Sequence, residues 1–249
     1  MHNLKAFLKR YPFSYHLVKK IYHALRYLME THIFGTKIQE WVWCKRHIYK
    51  GNEWIKGYWD AKDHPRCHLL SEKIEKYFPF TNILEIGCNA GPNLYWLAKK
   101  YPGVYLVGID INPVAISNGM VLLKKEGICN VYLETRRADD LKKYPDKSFD
   151  IVFTNATLIY IGPDKINKVI KEMIRLARKA LILIEWHSGQ QTGDPYGLGI
   201  YNFGGWKRNY ENLLKPYIQG NRISVNKDDC FKVMGKDWEE LGHIIEVIL

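Results

Sequence analysis

The feature that most constrains this chain is a regular alternation of two hydropathy patterns after residue 81. Short apolar runs of strand-like composition alternate with segments whose apolar residues recur at helical spacing. The runs predict strands near residues 82–86, 104–109, 131–134, 150–154 and 180–184. The helical patterns predict helices near residues 92–100, 113–126 and 164–178. This order is typical of an α/β protein, in which a parallel sheet carries helices on both faces.

Further elements are predicted on either side of this core. A helix near residues 65–78 has Asp63 as its candidate N-cap, and residues 206–217 also have a helical pattern. The chain closes with two strand-like runs, at 229–234 and 243–248, whose connection is too short for a helical crossover. We therefore expect these two runs to pair antiparallel at one end of the sheet.

The first fifty residues carry most of the positive charge. The chain has 37 Lys and Arg against 26 Asp and Glu, a formal net charge of +11, and residues 1–50 supply +8 of it from ten basic and two acidic residues. Apolar residues recur among them at helical spacing, which indicates a basic amphipathic helix; they are Phe13, Leu17, Val18, Ile21, Tyr22, Leu25, Leu28 and Met29. A break near Gly35 precedes a second predicted helix, which ends near Tyr49. We therefore divide the chain into a helical extension, residues 1–60, and a main domain, residues 61–249.

Three interpretations of this extension remain open. In the first, its apolar stripe packs on the main domain or on the second subunit of a homodimer, and its lysines face solvent. In the second, the basic and aromatic helix lies on an anionic membrane surface. In the third, it binds nucleic-acid phosphates, which we favour least because no recognisable RNA- or DNA-binding module accompanies the charge.

The sequence predicts neither a membrane span nor a secretion signal. Its longest apolar runs, such as residues 180–184, are far shorter than the roughly 18 to 20 residues that cross a bilayer. The N-terminal residues lack the continuous apolar stretch of a signal peptide. The five cysteines are widely spaced, and no cluster of carboxylates and histidines has metal-ligand spacing. We expect a cytoplasmic protein with reduced cysteines and no metal, with the inner membrane surface as an alternative location.

A glycine motif lies at the end of the first predicted strand. From Ile83 the sequence reads Ile-Leu-Glu-Ile-Gly-Cys-Asn-Ala-Gly-Pro-Asn, so an acid precedes a Gly-x-x-x-Gly loop. The glycines let the backbone turn sharply and let a ligand approach it closely at the carboxyl end of a strand. Asp110 ends the second strand, where a carboxylate is suited to accept hydrogen bonds from both hydroxyls of a ribose. These features predict a nucleoside site, and they disfavour NAD because Asn89 stands where a dinucleotide fingerprint has its second glycine.

The same residues resemble the class I S-adenosylmethionine-dependent methyltransferases. That family has a first motif of the form acid-x-Gly-x-x-x-Gly and an acid after its second strand. The resemblance covers about residues 65–249, and it implies a Rossmann-like seven-stranded sheet with an antiparallel last strand and S-adenosylmethionine as the cofactor. The cofactor-binding residues that it implies are Glu85, Gly87, Asn89 and Gly91 in the loop, Asp110 and Ile111 at the ribose, Ala138 and Asp139 at the adenine, and Asn155 and Tyr58 elsewhere in the site. Asp140 is an alternative to Ala138 and Asp139 on the adenine side.

The acceptor side of the predicted site follows the fifth strand. His187 stands at the tip of that strand, and the ordinary histidine pKa of about 6.5 suits a general base. The Gly- and Tyr-rich segment 188–206 is long enough to form a lid or a substrate wall. The substrate-binding residues predicted there are Trp186, Asp194, Tyr196, Tyr201 and Trp206.

These features predict a methyltransferase that acts on a hydroxyl of a sugar or of a lipid-linked saccharide. The preference for a saccharide is implied by a resemblance to methyltransferases of bacterial and archaeal surface-glycan assembly, in which a basic, aromatic extension joins the same catalytic pattern. Another small molecule and RNA remain alternative acceptors, although residues 155–158 read Asn-Ala-Thr-Leu and not the Asn-Pro-Pro-Tyr type of motif of nucleic-acid amino methylators. A non-catalytic nucleoside-binding protein with the same fold is the alternative from another class of function.

Overall fold

The described residues before the sheet are mainly helical. The computed structural model describes residues 12–51, 53–189, 194, 196–202, 204–218 and 222–249. Its first elements are α1 (Pro12–Leu28), a π-helical turn (Met29–Ile33), α2 (Lys37–Cys44), α3 (Arg46–Lys50), α4 (Glu53–Asp60) and a 3₁₀ turn (Ala61–Asp63). Among the described residues, no helix has both the length and the apolar character that a bilayer crossing needs.

The remaining elements alternate as the sequence predicts. In chain order they are α5 (Pro65–Glu75), β1 (Asn82–Ile86), α6 (Pro92–Lys100), β2 (Tyr105–Asp110), α7 (Pro113–Lys125), β3 (Val131–Thr135), β4 (Phe149–Asn155), a 3₁₀ turn (Leu158–Tyr160), α8 (Ile166–Leu176), β5 (Ala177–Trp186), β6 (Ile200–Asn202), β7 (Gly205–Lys207), α9 (Tyr210–Leu214), β8 (Ile223–Asn226), a 3₁₀ helix (Asp229–Met234), α10 (Lys236–Leu241) and β9 (Gly242–Ile248). The five predicted inner strands are all present.

Seven strands form one sheet in the order β3-β2-β1-β4-β5-β9-β8. The first five of these strands are parallel to one another, whereas β9 runs antiparallel to both β5 and β8. The predicted fold, a Rossmann-like seven-stranded sheet with an antiparallel last strand, is therefore confirmed. Because the inner strands are parallel, the carboxyl ends of β1, β2, β4 and β5 meet at one edge, where ligands of open α/β sheets bind.

Helices cover both faces of this sheet. Consecutive strand residues point to opposite faces, so Ile83 packs in one core cluster and Leu84 in the other, and both are fully buried. Ile151 and Val152 alternate in the same way on β4. This two-sided burial explains why the inner strands are near-continuous apolar runs, which made their positions readable from the sequence.

Two of the predicted helices have different ends. α5 is capped by His64, whose Nδ1 accepts from the backbone N–H of Arg66 at 3.2 Å, so the prediction of Asp63 as the cap is wrong. α8 ends at Leu176, and β5 begins directly at Ala177. The helical pattern extends to residue 178 because the first residues of β5 continue the alternation of apolar and basic side chains.

Two segments near the C-terminus differ from the predictions. Residues 206–217 are not one helix, because Trp206 pairs with Tyr201 in the β6–β7 hairpin and only α9 is helical. Residues 229–234 form a 3₁₀ helix, which Asp228 caps by accepting from the N–H of Cys230 at 2.9 Å. The antiparallel partner of β9 is instead β8, which starts at Ile223.

Candidate functional site

A cavity of about 260 Å³ opens at the carboxyl edge of the sheet. Its floor comes from the ends of β1, β2 and β4 and from the loops that follow them. Its lining includes the sequence-predicted residues Tyr58, Gly87, Asn89, Asp110, Ile111, Ala138, Asp139, Asn155 and Trp186. Residues that are distant in sequence and were predicted for one site therefore meet at one place.

The glycine loop is tied to the neighbouring strand. The N–H groups of Gly87 and Cys88 both donate to the carbonyl of Ile109, at 2.7 and 3.0 Å. Gly87 has a φ of +81°, and a Cβ built on it would overlap the hydroxyl of Thr157. Only glycine fits there, because a side chain would meet both backbone strain and the loop after β4.

Gly91 has a different place from Gly87. It is the N-cap residue of α6 with a φ of +82°, and a Cβ there would face Leu133 and Leu123 at 3.5 and 3.6 Å. Gly91 is not among the residues that line the cavity. Its contribution is to turn the chain from the loop into α6.

Asp110 fastens the glycine loop to the end of β2. Its carboxylate accepts from the N–H of Asn89 at 2.9 Å and from the N–H of Asn112 at 2.8 Å. Burial raises the pKa of this carboxyl, although these backbone hydrogen bonds oppose the shift. The carboxylate faces the cavity from the strand end where the sequence predicts a ribose contact.

Glu85 lies behind the cavity and reaches it through another residue. It is buried, and its Oε1 accepts from the Asn93 amide at 2.6 Å. The Asn93 Oδ1 in turn accepts from the Asn155 amide at 3.4 Å, and Asn155 lines the cavity. Burial raises the pKa of Glu85 to about 8. Asn93 is not among the predicted site residues, because its position on the buried side of a helix carries no motif signal.

The adenine-side alternatives are separated by the structure. Ala138 and Asp139 line the cavity, whereas Asp140 does not and is largely exposed. Asp139 pairs with Arg137 at 3.0 Å and with Lys165 at 3.3 Å. Burial opposes ionisation of Asp139, but the hydrogen bonds and charges of Arg137 and Lys165 together outweigh it and lower the pKa.

The N-terminal extension forms one wall of the cavity. Thr36, Gln39, Glu40 and Trp43 all line it, and none of them was a predicted site residue. Glu40 accepts from Lys165 at 2.5 Å and from Arg137 at 2.7 Å, so it closes the ion-pair network around Asp139. The extension therefore contributes to the cavity lining, although every predicted site residue follows residue 57.

Aromatic side chains form a large part of the cavity lining. They are Trp43, Tyr58, Tyr160, Trp186 and Trp238. The ring centroids of Trp43 and Tyr160 are 4.7 Å apart, and those of Trp43 and Tyr58 are 6.5 Å apart. Burial raises the pKa of both tyrosines, so their phenols stay protonated at neutral pH. This part of the cavity is aromatic and includes two protonated phenols.

The loop after β4 is held by a buried pair of opposite charges. Glu185 accepts from the N–H groups of Thr157, Leu158 and Ile159 at 3.0 to 3.2 Å. Arg208, which is fully buried, donates to the carbonyls of Leu158 and Ile161. These bonds fix the backbone of a segment that lines the cavity, and they explain why two charged residues remain in the core.

His187 lies outside the cavity lining. Its ring packs between Tyr210 and His243, with a centroid separation of 4.9 Å to His243, and its Nδ1 accepts from the N–H of Tyr210 at 3.4 Å. Burial and the charge of His243 lower the pKa of His187 to about 4. The structure therefore does not bring the predicted base to the other site residues.

Four predicted substrate-binding residues also lie away from the cavity lining. Asp194 accepts from the N–H groups of Gly199 and Asn209 at 3.1 to 3.2 Å, and so fastens its own loop. Tyr201 and Trp206 pack on each other in the β6–β7 hairpin, and Tyr196 is 74% exposed. Of the predicted acceptor residues, Trp186 alone is among the described residues that line the cavity.

Comparison with known proteins agrees with this geometry. Residues 83–180 match the family model of a methyltransferase domain. The chain is 31% identical over 162 residues to malonyl-[acyl-carrier protein] O-methyltransferase 1 of Ilyobacter polytropus, which is 65% of this chain and 54% of that protein. It is 33% identical over 84 residues to phosphoethanolamine N-methyltransferase 1 of Zea mays, which is 33% of this chain and 16% of that protein.

A solved structure shares the fold. It is phosphoethanolamine N-methyltransferase 1 of Haemonchus contortus in complex with phosphoethanolamine and S-adenosylhomocysteine, with a TM-score of 0.53 and 16% identity. The match covers 76% of this chain and 43% of that one. The family model matches the region of the glycine loop and the inner strands. The chain spans about half the length of the Ilyobacter polytropus relative and about a sixth of the Zea mays relative.

Proposed function

We propose that this chain, which carries a class I S-adenosylmethionine-dependent methyltransferase domain, transfers a methyl group to a small-molecule acceptor held at the carboxyl edge of its sheet. S-adenosylmethionine is the cofactor. The observation that carries the proposal is the convergence of Gly87, Asp110 and Asn155 on one cavity, in the strand order of this family. The proposed activity is that of the domain, since the relatives extend well beyond the matched region.

The donor groups around the cavity fit the parts of S-adenosylmethionine. Asp110 offers a carboxylate to the ribose hydroxyls, and Gly87 leaves room for a close approach to the backbone. Within the described part of the chain, Arg66 Nε and Asn155 Oδ1 are buried without a partner, and both residues line the cavity. The Nε of Arg66 suits the carboxylate of the methionine part, because it is a donor on a cation. The Oδ1 of Asn155 suits the ammonium, because it is a free acceptor. When bound, the cofactor supplies an electrophilic methyl group.

The protein contributes mainly alignment and exclusion of water. Methyl transfer from a sulfonium is an in-line displacement, and holding two reactants in the correct geometry accounts for a large part of such a rate. The loop fixed by Glu185 and Arg208 gives the floor of the site a rigid backbone. The wall formed by Trp43 and Tyr160 covers it with apolar surface.

For the acceptor, we propose a hydroxyl of a sugar or of a lipid-linked saccharide. The aromatic lining supports this class, because flat rings can pack on the apolar faces of a sugar while Tyr58 and Tyr160 carry phenol hydroxyls that can form hydrogen bonds. The residues predicted in the segment 188–206 do not support the saccharide, because Asp194, Tyr196, Tyr201 and Trp206 lie away from the cavity lining. Another acceptor is the alternative, either a small molecule, as in the relatives named for phosphoethanolamine, or a carrier-bound acid, as in the relative named for malonyl-[acyl-carrier protein].

The test is transfer of a labelled methyl group. The full chain is incubated with S-adenosylmethionine labelled at the methyl group and with aqueous, lipid and RNA fractions of an extract from its source, and the labelled product is identified. We expect label in a saccharide of the lipid or aqueous fraction, with none for Asp110→Asn at the same cofactor concentration. Label in an amine, a protein thioester or RNA would reject the saccharide. Tight cofactor binding with no label in any fraction would reject the enzyme and favour a nucleoside-binding protein.

A further inference from the structure

Helix α1 exposes an apolar stripe to solvent. Leu17, Val18, Ile21, Leu25 and Leu28 are each 46–56% exposed. At 3.6 residues per turn, these five positions lie within one side of the helix. A stripe of this kind normally packs on a protein core, and its exposure marks an interaction surface.

The helix meets the rest of the protein through its other side. The ring of Tyr27 packs edge-on against Tyr201 with centroids 5.7 Å apart. Arg26 lies against Gly204: a Cβ built on Gly204 would be 3.1 Å from Nη1 of Arg26. Helical geometry places both residues more than a quarter turn from the centre of the stripe. The stripe therefore faces outward, and packing on the described part of the main domain is not its role.

The first fifty residues carry exposed lysines but no free acid. Both acids of the first fifty residues are engaged internally: Glu30 is buried and bonded to Arg26 and Gln39, and Glu40 is paired with Arg137 and Lys165. The lysines at 20, 37, 45 and 50 are exposed. Within the ranges that the structure describes, these four lysines form no ion pair. Residues 17–50 thus present apolar side chains and, within the same segment, lysines that no acid of that segment compensates.

We propose that α1 docks in the plane of an anionic lipid surface through this stripe. Apolar side chains enter the headgroup boundary while exposed lysines of residues 17–50 bind acidic headgroups, and no membrane-spanning helix is required. A symmetric dimer through the same face would set these cations against their own copies, which opposes association. Charge complementarity therefore favours anionic lipid over a second copy of the chain.

Docking here would bring the cavity to the lipid surface. The C-terminal end of α1 continues into the turn that carries Glu30, whose carboxylate accepts from Gln39 at 3.0 Å, and Gln39 lines the cavity. The consequence, which rests on the proposed function, is that the acceptor is an amphiphile taken from the membrane surface. Docking itself is independent of methyl transfer, so the two proposals fail separately.

The experiment is co-sedimentation of the full chain with vesicles. We use phosphatidylcholine alone and a mixture in which about a third of the lipid is phosphatidylglycerol, each at low salt and at roughly 0.5 M salt. We expect binding to the anionic vesicles at low salt, with a loss of at least about tenfold at high salt or on neutral vesicles. Ile21→Gln with Leu25→Gln should lower binding by about tenfold or more without changing the net charge.

The control replaces Met120 and Val121 by Gln. These residues of α7 are as exposed as the stripe, at 48% and 53%, but lie outside the extension, and this variant should bind vesicles like the parent chain. Cofactor affinity, measured by calorimetry without lipid, confirms that each variant is folded. Equal vesicle binding by the stripe variant, or no binding by the parent chain, would overturn the proposal. So would a concentration-dependent dimer that the stripe variant abolishes.

Discussion

Thr36 and Asp164 lie 128 residues apart in the chain, and two hydrogen bonds connect them. The backbone N–H of Thr36 donates to the Asp164 carboxylate at 3.0 Å, and its hydroxyl donates at 2.6 Å. The same hydroxyl accepts from the N–H of Gly162 at 2.8 Å. This contact fastens the start of α2, and with it one wall of the cavity, to the segment before α8.

Replacing Thr36 by Val should loosen that wall. The variant keeps the shape of the side chain but leaves the buried N–H of Gly162 without its acceptor, at a cost of about 1–3 kcal/mol. We expect cofactor affinity, measured by calorimetry, to fall about three- to tenfold. Thr31→Val is the matched control, since it removes only a hydroxyl bond to Tyr27 within the extension and should bind normally. An unchanged affinity of the Thr36 variant would show that the wall does not contribute to cofactor binding.

Replacing Asp110 by Asn should weaken S-adenosylmethionine binding. The amide retains the size of the side chain but removes the charge that strengthens hydrogen bonds from ribose hydroxyls, each worth about 1.5–3 kcal/mol at most. We expect at least a roughly tenfold rise in Kd by calorimetry. Asp140→Asn changes charge equally at an exposed position outside the cavity and serves as the control. Equal Kd values for the two variants would reject the ribose assignment.

Gly87→Ala should destabilise the fold as well as the site. A Cβ at this position overlaps the side chain of Thr157 and must adopt a φ of +81°, which together should cost more than about 1–2 kcal/mol. Gly103→Ala is the control, because no atom lies within 4 Å of its added Cβ. Urea denaturation of both variants measures the difference. Adding Thr157→Gly should recover part of the loss, and no recovery would show that backbone strain alone is responsible.

The pH dependence of stability should reflect His187. Its folded pKa of about 4 lies below the ordinary value of about 6.5, so the unfolded chain binds more protons between these two values. The free energy of unfolding keeps the full contribution of the neutral His187 ring above about pH 6.5. It loses this contribution, up to about 3 kcal/mol, as the pH falls towards 4. His243, whose pKa burial also lowers, adds to the same slope. Urea denaturation at several pH values should give a flatter profile for His187→Gln than for the parent chain.

The same variant tests the predicted catalytic role of His187. A general base that touches the acceptor contributes about 10² to 10⁴ in rate. Because the ring packs against His243 and Tyr210 and does not line the cavity, we expect His187→Gln to keep kcat within about threefold at pH 8. A loss of the larger size, with cofactor affinity unchanged, would restore the general-base interpretation.

The sequence predicted those parts of the fold whose signal is local. The inner strands are continuous apolar runs, and Gly87 and Asp110 stand at their ends, so both the sheet and the cofactor side could be placed. Asn93 could not be found, because its role depends on Glu85 and Asn155 from other elements. The last strand was placed correctly, but its antiparallel partner was not: residues 229–234 have a strand-like composition, yet the cap at Asp228 closes them into a 3₁₀ helix, and β8 pairs with β9 instead.

The acceptor side was predicted less well for a related reason. Strand tips identify the edge of a sheet, but not which side chain turns into a cavity. Trp186 lines it and the next residue, His187, packs away from it against His243. The extension carries no motif, so its place beside Lys165 and Arg137 followed only from ion pairs formed across more than ninety residues of sequence.

The wall that α2 contributes has a consequence for how the extension is held. A ligand that fills the cavity would contact α2 of the extension as well as the matched domain, and its binding free energy would add to the contacts that keep α2 in place. Opening of the extension and emptying of the cavity are then linked equilibria, so each change in ligand concentration alters the fraction of open molecules. Limited proteolysis of the segment around Gly51 becomes a measure of occupancy: cleavage slows as the cavity fills, whatever the acceptor is.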